Sequence, residues 1–297
     1  MPIYELAALG AAACWAATSV ISAGPVAHLG PLAFNRVRQV FVTVMLAVYV
    51  LATGGWAQFD TAYLAPLVLS GVIGIFLGDT LLFATLSRVG PRLSSILFAL
   101  NAPIAAILGF AVLGETLSMQ AAAGIAITVT GVLLAIAFGK RRAQSSSWET
   151  VRGPLWVAVA LGLGAATGQA VGSIIAKPVM AAGVDPFLAS FVRVGVAAFC
   201  LSVLIAMPID AVKPKGPLTL KVFALTAATG ILALAIGMTL LLFALSGGNV
   251  GIVSTLSATS PVIVLPMIWA KTGERPAAGA WAGALLVVLG MAFLFLR

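Results

Sequence analysis

One acidic residue, Asp79, lies deep inside an apolar segment of the sequence, about fifteen positions into the run 64–86. An ionised carboxylate at that depth is costly, so its side chain should face the protein interior or a water-filled cavity and have a partner there. Two interpretations are open. Asp79 either binds a substrate ammonium group or a coupled proton, or it forms a structural ion pair with an arginine of a neighbouring segment.

Two arginines, Arg38 and Arg193, recur in the same context, because each follows by seven residues a proline that opens an apolar run, Pro31 or Pro186. At 1.5 Å per helical residue they lie about 10 Å deep, where a long side chain still reaches water or the carbonyls of a neighbouring helix end. We therefore expect a structural role, with a substrate-carboxylate or gating role as the alternative. Arg36 has no counterpart in the second half of the chain.

Aromatic and polar side chains within other apolar runs are candidates for the wall of a cavity. Trp15 lies too deep for an interfacial aromatic belt, and its indole donor needs a partner that either a cavity or a packed core would provide. Gln169 takes the corresponding place later in the chain, where its amide should not face lipid. The predicted cavity residues are Trp15, Ser19, Asp79, Phe83, Ser95, Phe98, Asn101, Gln169, Ser173, Thr239, Ser254 and Ser257.

Two uncharged segments, 94–103 and 254–261, are unusually rich in hydroxyl and amide side chains. Such groups can hydrogen-bond a small polar solute, and Pro103 and Pro261 would kink their helices and free a backbone carbonyl. The alternative is close packing of helices through small residues. We favour the cavity wall over packing for Asn101 and Ser257.

Glu115 and Glu274 each follow a glycine just beyond those segments. Because they lie at span ends, we expect them to terminate and pin helices rather than to couple an ion.

The elements that must position these residues are membrane helices, since 62% of the 297 residues are hydrophobic and 8% charged, against about 25% charged in a soluble domain. The apolar runs are continuous, unlike the alternating strands of a β-barrel, and each is long enough to cross a bilayer. We do not expect the first run to be a cleaved signal, because no positive region precedes it. The predicted spans are 4–23, 32–52, 64–86, 91–112, 119–138, 154–176, 186–206, 221–245, 249–269 and 278–296.

Lysine and arginine residues outside the span interiors fall unequally on the two sides of the membrane, eleven against two. The richer side should be cytoplasmic, which places both termini outside. These cations face cytosol and anionic lipid, and no nucleic-acid-binding module accompanies them. The eleven are Arg88, Arg92, Lys140, Arg141, Arg142, Arg152, Lys213, Lys215, Lys221, Lys271 and Arg275, and the two are Lys177 and Arg297.

The chain also repeats itself, with shifts of 154 and 155 residues near the start of each half and of 159 further on. Each half holds five spans, over 1–139 and 154–297, and a basic linker, 140–153, joins them. Five is odd, so the halves thread the membrane in opposite directions, and such inverted repeats support alternating access. The matched positions include Ser19 with Ser173, Arg38 with Arg193, Gly71 with Gly230, Gly78 with Gly237, Thr80 with Thr239, Ser95 with Ser254, Glu115 with Glu274, and Gly131 with Gly290.

These features resemble the drug/metabolite transporter superfamily, in particular its ten-helix EamA-type carriers. The resemblance rests on Trp15, Pro31 with Arg38, Pro186 with Arg193, the run ALNAP at 99–103, LGETLS at 113–118 with Gly124 and Gly131, ATSP at 258–261, and Gly273-Glu274. It implies ten helices around a central cavity, with spans 5 and 10 outside it. It also implies export of amino acids or related metabolites from bacterial cells across the inner membrane. Many such carriers have cytoplasmic termini, whereas the charge distribution here predicts the reverse.

We expect a secondary exporter of small zwitterions, most of all apolar or aromatic amino acids. A carrier of drugs or nucleotide sugars is the alternative. An intramembrane enzyme is disfavoured, because His28 lies in a loop, Cys14 and Cys200 lie in separate spans, and no acid/base constellation or phosphate-binding loop is visible. The expected partners are a small-molecule substrate and the lipid bilayer, the expected assembly is a monomer or homodimer, and no cofactor is expected beyond a coupled proton.

Overall fold

A computed structural model describes residues 3–57, 59–138, 153–206, 213–272 and 277–295. Within these ranges the chain is helical and contains no strand. The first half comprises α1 (Ile3–Leu29), α2 (Pro31–Thr53), α3 (Leu64–Ser70), α4 (Gly78–Ala99), α5 (Asn101–Leu113) and α6 (Met119–Ala137). The second half comprises α7 (Leu155–Ala181), α8 (Pro186–Ala206), α9 (Leu220–Gly230), α10 (Met238–Gly247), α11 (Val250–Ser257), α12 (Ser260–Thr272) and α13 (Ala278–Phe295).

The described helices are long and apolar enough to account for the predicted spans. In the described part of the chain, seven segments qualify as membrane spans by length and composition, and three shorter apolar helices lie over 97–113, 119–134 and 278–293. Together they give the ten-span, all-α architecture that the sequence predicts.

The predicted connection between the third and fourth spans is helical, because α4 continues through residues 87–90. Ser87 and Arg88 interrupt the apolar run there, but polar side chains do not by themselves break a helix. Ser87, for example, donates its hydroxyl hydrogen bond to the carbonyl of Ala84 in the preceding turn, at 2.9 Å. The second half does have a break at the matching place, at Gly248 and Asn249 between α10 and α11.

A seven-residue π-helical segment recurs in both halves, and it links α3 to α4 over Gly71–Leu77 and α9 to α10 over Ile231–Gly237. The first segment ends two residues before Asp79. The second ends directly before Met238, which is the repeat counterpart of Asp79. Such wide turns are often found at functional sites, because they re-aim side chains and loosen backbone hydrogen bonds.

The two halves interlock rather than pack as separate bundles. Helix α1 packs against the second π-helical segment and α10, whereas α7 packs against the first π-helical segment and α4. Glycines allow this approach: a Cβ atom on Gly172 of α7 would lie 2.7 Å from the Cα atom of Gly74. Helices α2 and α8, which carry the repeated arginines, also pack against each other.

Helices α6 and α13, which correspond to spans 5 and 10, form an extensively paired layer. Their contact is close because of glycines, since a Cβ atom on Gly131 would lie 2.7 Å from the carbonyl oxygen of Gly283. Gly290 makes the reciprocal contact, with its Cβ position 2.6 Å from the backbone nitrogen of Thr128. This pair supports the interlocked helices from one side.

Candidate substrate site where the repeats meet

Asp79 forms an ion pair with Arg38 across helices α4 and α2. The Arg38 Nη2 atom donates to Asp79 Oδ2 at 2.6 Å and also to Asn35 Oδ1 at 3.1 Å. The two side chains are 4% and 16% exposed, so water screens the pair little. Of the two interpretations of Asp79, this conformation therefore contains the ion pair with an arginine.

Other side chains of α2 and α4 hold the Arg38 guanidinium in place. Gln39 donates to the same Asn35 carbonyl oxygen at 3.1 Å, and both amide residues are buried. The guanidinium carbon lies 4.8 Å from the ring centre of Phe83 and 5.7 Å from that of Phe34, within cation–π range. Phe83, a predicted cavity residue, thus packs on the cation of the ion pair.

Arg193 occupies the matching place in the second half, but its surroundings differ. It is fully buried, with 0% exposure, and its Nη1 atom contacts the Met238 sulfur at 3.2 Å. Its Nε and Nη2 atoms have no hydrogen-bond partner in the described part of the chain. A buried guanidinium without an anionic partner is costly, so this position is a candidate for binding an anionic group.

The glycine that precedes or opens each π-helical segment packs on the arginine of the other half. A Cβ atom on Gly71 would lie 2.6 Å from the Arg193 carbonyl oxygen, and one on Gly230 would lie 3.2 Å from the Arg38 carbonyl oxygen. The sequence repeat had paired these glycines with each other, and the arginines with each other. The structure shows that the contacts run between halves, which brings both arginines to the region where the repeats meet.

Trp15 donates its indole hydrogen bond to the carbonyl oxygen of Ala233, at 3.1 Å, inside the second π-helical segment. A Cβ atom on Gly237 would lie 2.9 Å from the same indole nitrogen. Gln169 is placed comparably: its backbone nitrogen lies 3.7 Å from the Cβ position of Gly78, and the residue is buried. The indole donor is thus satisfied by the loosened backbone of a π-helical segment.

Among the predicted hydroxyl and amide residues, Thr239 reaches another helix, since its hydroxyl lies 2.9 Å from that of Ser190 on α8. Four others donate to backbone carbonyls three or four residues earlier: Ser19 to Ala16, Asn101 to Phe98, Ser173 to Gln169, and Ser257 to Ser254. Hydroxyls bonded in this way are available to a solute only through their lone pairs.

The helix breaks within the fourth and ninth spans match across the repeat. The first is at Leu100, between α4 and α5, and the second lies at residues 258–259, between α11 and α12. Pro103 and Pro261 each lie in the first turn after the break, where a missing N–H group is tolerated. The side chain of Ser95 and the whole of Glu274 lie outside the described residues.

Glu115, in the loop between α5 and α6, caps the start of helix α11. Both of its carboxylate oxygens accept from the Val250 amide at the start of α11, at 3.1 and 2.8 Å. Burial raises the pKa of this carboxyl, while the Val250 hydrogen bond and the charge of Lys177 oppose the rise. The Lys177 ammonium in turn donates to the carbonyls of Leu245 and Gly248, at 2.8 and 2.9 Å, where α10 ends. This acid and this cation together fix the break between α10 and α11.

The cavities described here lie away from the predicted cavity residues. One, of about 520 Å³, is a groove between α2, α8 and α9, and the other, of about 360 Å³, lies between the loop after α2 and the loop after α7. Arg38 and Arg193 are buried and neither of these cavities reaches them, so the candidate substrate site is closed in this conformation. The sequence reasoning missed Asn35, Gln39 and Met238 as neighbours of the arginines; the polar positions 35, 38 and 39 on one helix face were the available signal.

Comparisons with known proteins agree with this architecture. The sequence profile described as "EamA-like transporter family" matches residues 2–137 and again residues 156–296. A solved structure titled "Crystal structure of protein" superposes with a TM-score of 0.79 and 16% identity, over 99% of this chain and 96% of its own. That similarity concerns the fold alone. A search of curated proteins finds no match.

Proposed function

Because the chain belongs to the EamA-like transporter family and is a multi-pass membrane protein, we propose that it is a secondary transporter that exports small zwitterions, above all apolar or aromatic amino acids. The observation that carries the proposal is the unequal environment of the two repeated arginines. The buried region contains two guanidinium groups and one carboxylate, that of Asp79. Asp79 pairs with Arg38, and Arg193 has two nitrogen atoms without a hydrogen-bond partner in the described residues.

The charges of this region suit a ligand that carries both an acid and an amine. Asp79 interacts electrostatically with Arg193 as well as pairing with Arg38, so the buried region holds two cations and one anion. A ligand carboxylate would accept hydrogen bonds from the unpartnered Arg193 nitrogen atoms, since a guanidinium binds a carboxylate through two parallel hydrogen bonds. The ligand ammonium would then bind Asp79, in competition with Arg38 and with Gln39, which also interact with this carboxylate.

Alternating access is supported by the way in which the halves interlock. Helices α1 and α7 each pack against the π-helical segment of the opposite half and against the helix that follows it, so a change in one half is transmitted directly to the other. The closed packing around Arg193 then corresponds to a conformation that must open before ligand enters. A coupled proton would bind Asp79, because it is the acid within this buried region.

The proposal is tested with purified protein in liposomes preloaded with labelled phenylalanine or leucine. We expect exchange with external amino acid and competition by other apolar amino acids. Analogues that lack either the carboxylate or the ammonium group of the amino acid should compete at least tenfold more weakly. Asp79→Asn and Arg193→Gln should abolish exchange, whereas Arg88→Gln, which removes a cation outside the site, should not.

Two results would overturn the assignment. In the first, no amino acid exchanges while a cationic drug or a nucleotide sugar does. In the second, Asp79→Asn and Arg193→Gln leave exchange at the level of Arg88→Gln. Reporter fusions at the C-terminus test the orientation that we propose, in which the basic loops are cytoplasmic, both termini are outside and the membrane is the inner one.

A further inference from the structure

A groove of about 520 Å³ runs along the outside of helix α2, away from the candidate substrate site. Its lining is apolar apart from Arg36 and Ser202, and its floor includes Phe41 and Phe223, whose rings meet edge to face at 5.7 Å. The groove opens toward the surroundings of the protein, because Val40 and Val44 on its rim are 40% and 60% exposed. This volume lies within the range of small-molecule sites, about 300–1,000 Å³.

Arg36 gives the groove a charged end. It is partly buried, and in the described part of the chain it makes no ion pair or hydrogen bond. Its counterpart at the 155-residue shift is Phe191, so the charge does not belong to the architecture that the two halves share. A cation inside a membrane segment is normally paired, and the partner of Arg36 is therefore expected outside the described chain.

A second cation lies at the same end of the molecule. Helix α2 begins at Pro31 and α9 at Leu220, and the loops before them touch, since the Lys215 amide donates to the Leu29 carbonyl at 3.1 Å. Lys221, which is exposed, is the second residue of α9 and is two residues before Phe223 of the groove floor. Arg36, five residues after the start of α2, lies about 8 Å along the helix, so its long side chain can reach the membrane interface.

We propose that this groove binds one membrane phospholipid with an anionic headgroup. The headgroup phosphate accepts hydrogen bonds from Arg36 and Lys221, and an acyl chain lies along Val37, Val40 and Val44. Arg36 and Val44 are eight residues apart, about 12 Å along the helix, so the apolar lining extends from the headgroup level toward the middle of the bilayer. Basic pockets between membrane helices are known to recognise anionic headgroups, and guanidinium suits phosphate geometry. The proposal is independent of the transported substrate.

The experiment measures lipid binding rather than transport. Delipidated protein in detergent is titrated with phosphatidylglycerol or phosphatidylcholine, and native mass spectrometry counts the bound lipids while melting temperature is followed in parallel. We expect one tightly bound phosphatidylglycerol that raises the melting temperature, and no comparable effect of phosphatidylcholine. Losing the charged hydrogen bonds in Arg36→Gln should weaken binding about tenfold or more.

Matched variants separate the two parts of the site. Val40→Trp fills the groove without changing charge and should also lose the tight lipid, whereas Arg88→Gln removes a cation elsewhere and should keep it. Inorganic phosphate and glycerol phosphate should not displace the lipid, since they lack the acyl chain. The proposal is overturned if phosphatidylcholine binds equally well, if free phosphate reproduces the thermal shift, or if Arg36→Gln behaves like Arg88→Gln.

Discussion

The environments of Arg38 and Arg193 show how a duplicated fold becomes asymmetric. Both residues begin the same way, seven positions after a proline, and both pack on the glycine at the start of the opposite π-helical segment. Arg38 then meets the carboxylate of Asp79, whereas Arg193 meets the sulfur of Met238 at the matching position. The backbone thus preserves the repeat, while the exchange of Asp79 for Met238 leaves one guanidinium bonded to a carboxylate and the other without a directly bonded anion.

The largest expected effect comes from removing the charge that makes the two halves differ. Asp79→Asn leaves Arg38 buried without an anion, and breaking a buried pair in this way costs about 3–5 kcal/mol. The melting temperature in detergent measures the loss. The double variant Asp79→Asn with Arg38→Gln should recover much of it, because no buried charge is then left unpaired there. Equal melting temperatures of the single and double variants would show that the unpaired Arg38 charge is not the source of the loss.

A smaller effect is expected from the glycines that bring the arginines together. In Gly71→Ala the new Cβ atom would meet the backbone of Arg193, at 2.6 Å from its oxygen and 2.8 Å from its Cα atom. In Gly230→Ala the nearest atom is a methyl carbon of Val42, at 2.8 Å, which can rotate away. We therefore expect Gly71→Ala to cost about 1–3 kcal/mol and Gly230→Ala to cost less. Equal thermal shifts would contradict this difference between the halves.

A carboxylate placed beside Arg193 tests whether the unpartnered nitrogen atoms of this arginine bind the ligand. Met238→Asp gives Arg193 the partner that Arg38 already has, so a substrate carboxylate must compete with it. We expect the apparent substrate affinity to fall about tenfold, equivalent to about 1.4 kcal/mol, while Met238→Leu transports normally. Exchange measured over a range of amino-acid concentrations separates the variants. Unchanged affinity in Met238→Asp would argue against carboxylate binding at Arg193.

The sequence carried the architecture because bilayer-length apolar runs and a repeated pattern of glycine, proline and arginine are long-range signals. It could not predict which partner each arginine has, since that depends on contacts between helices far apart in the chain. Depth and spacing left Asp79 open between a ligand and an ion pair. The bond from Trp15 to the Ala233 carbonyl required a π-helical turn, which has no sequence signature in the apolar run 231–237. Lys177 looked like a loop cation, yet it caps α10 from within α7.

The smallest effect is expected at the break between α10 and α11, which the first half lacks because α4 is continuous there. Glu115→Gln keeps an oxygen acceptor for the Val250 amide and loses a charge whose attraction to that amide is offset by its burial, so we expect a change of about 1 kcal/mol or less. Lys177→Met should cost more, since two carbonyls then lose their donor.

The stability of the native protein and that of Glu115→Gln should depend differently on pH. Burial raises the pKa of Glu115, so the folded protein binds this proton more tightly than the unfolded chain does. The resulting stabilisation is complete below the ordinary pKa of a glutamate and is lost as the pH rises through the raised value. Between those values the melting temperature of the native protein should fall slightly relative to that of Glu115→Gln, which does not titrate. If the melting temperatures of the two proteins change with pH in the same way, the Glu115 carboxyl has the same pKa in the folded and unfolded states. The Val250 hydrogen bond and the charge of Lys177 would then offset the effect of burial on that pKa.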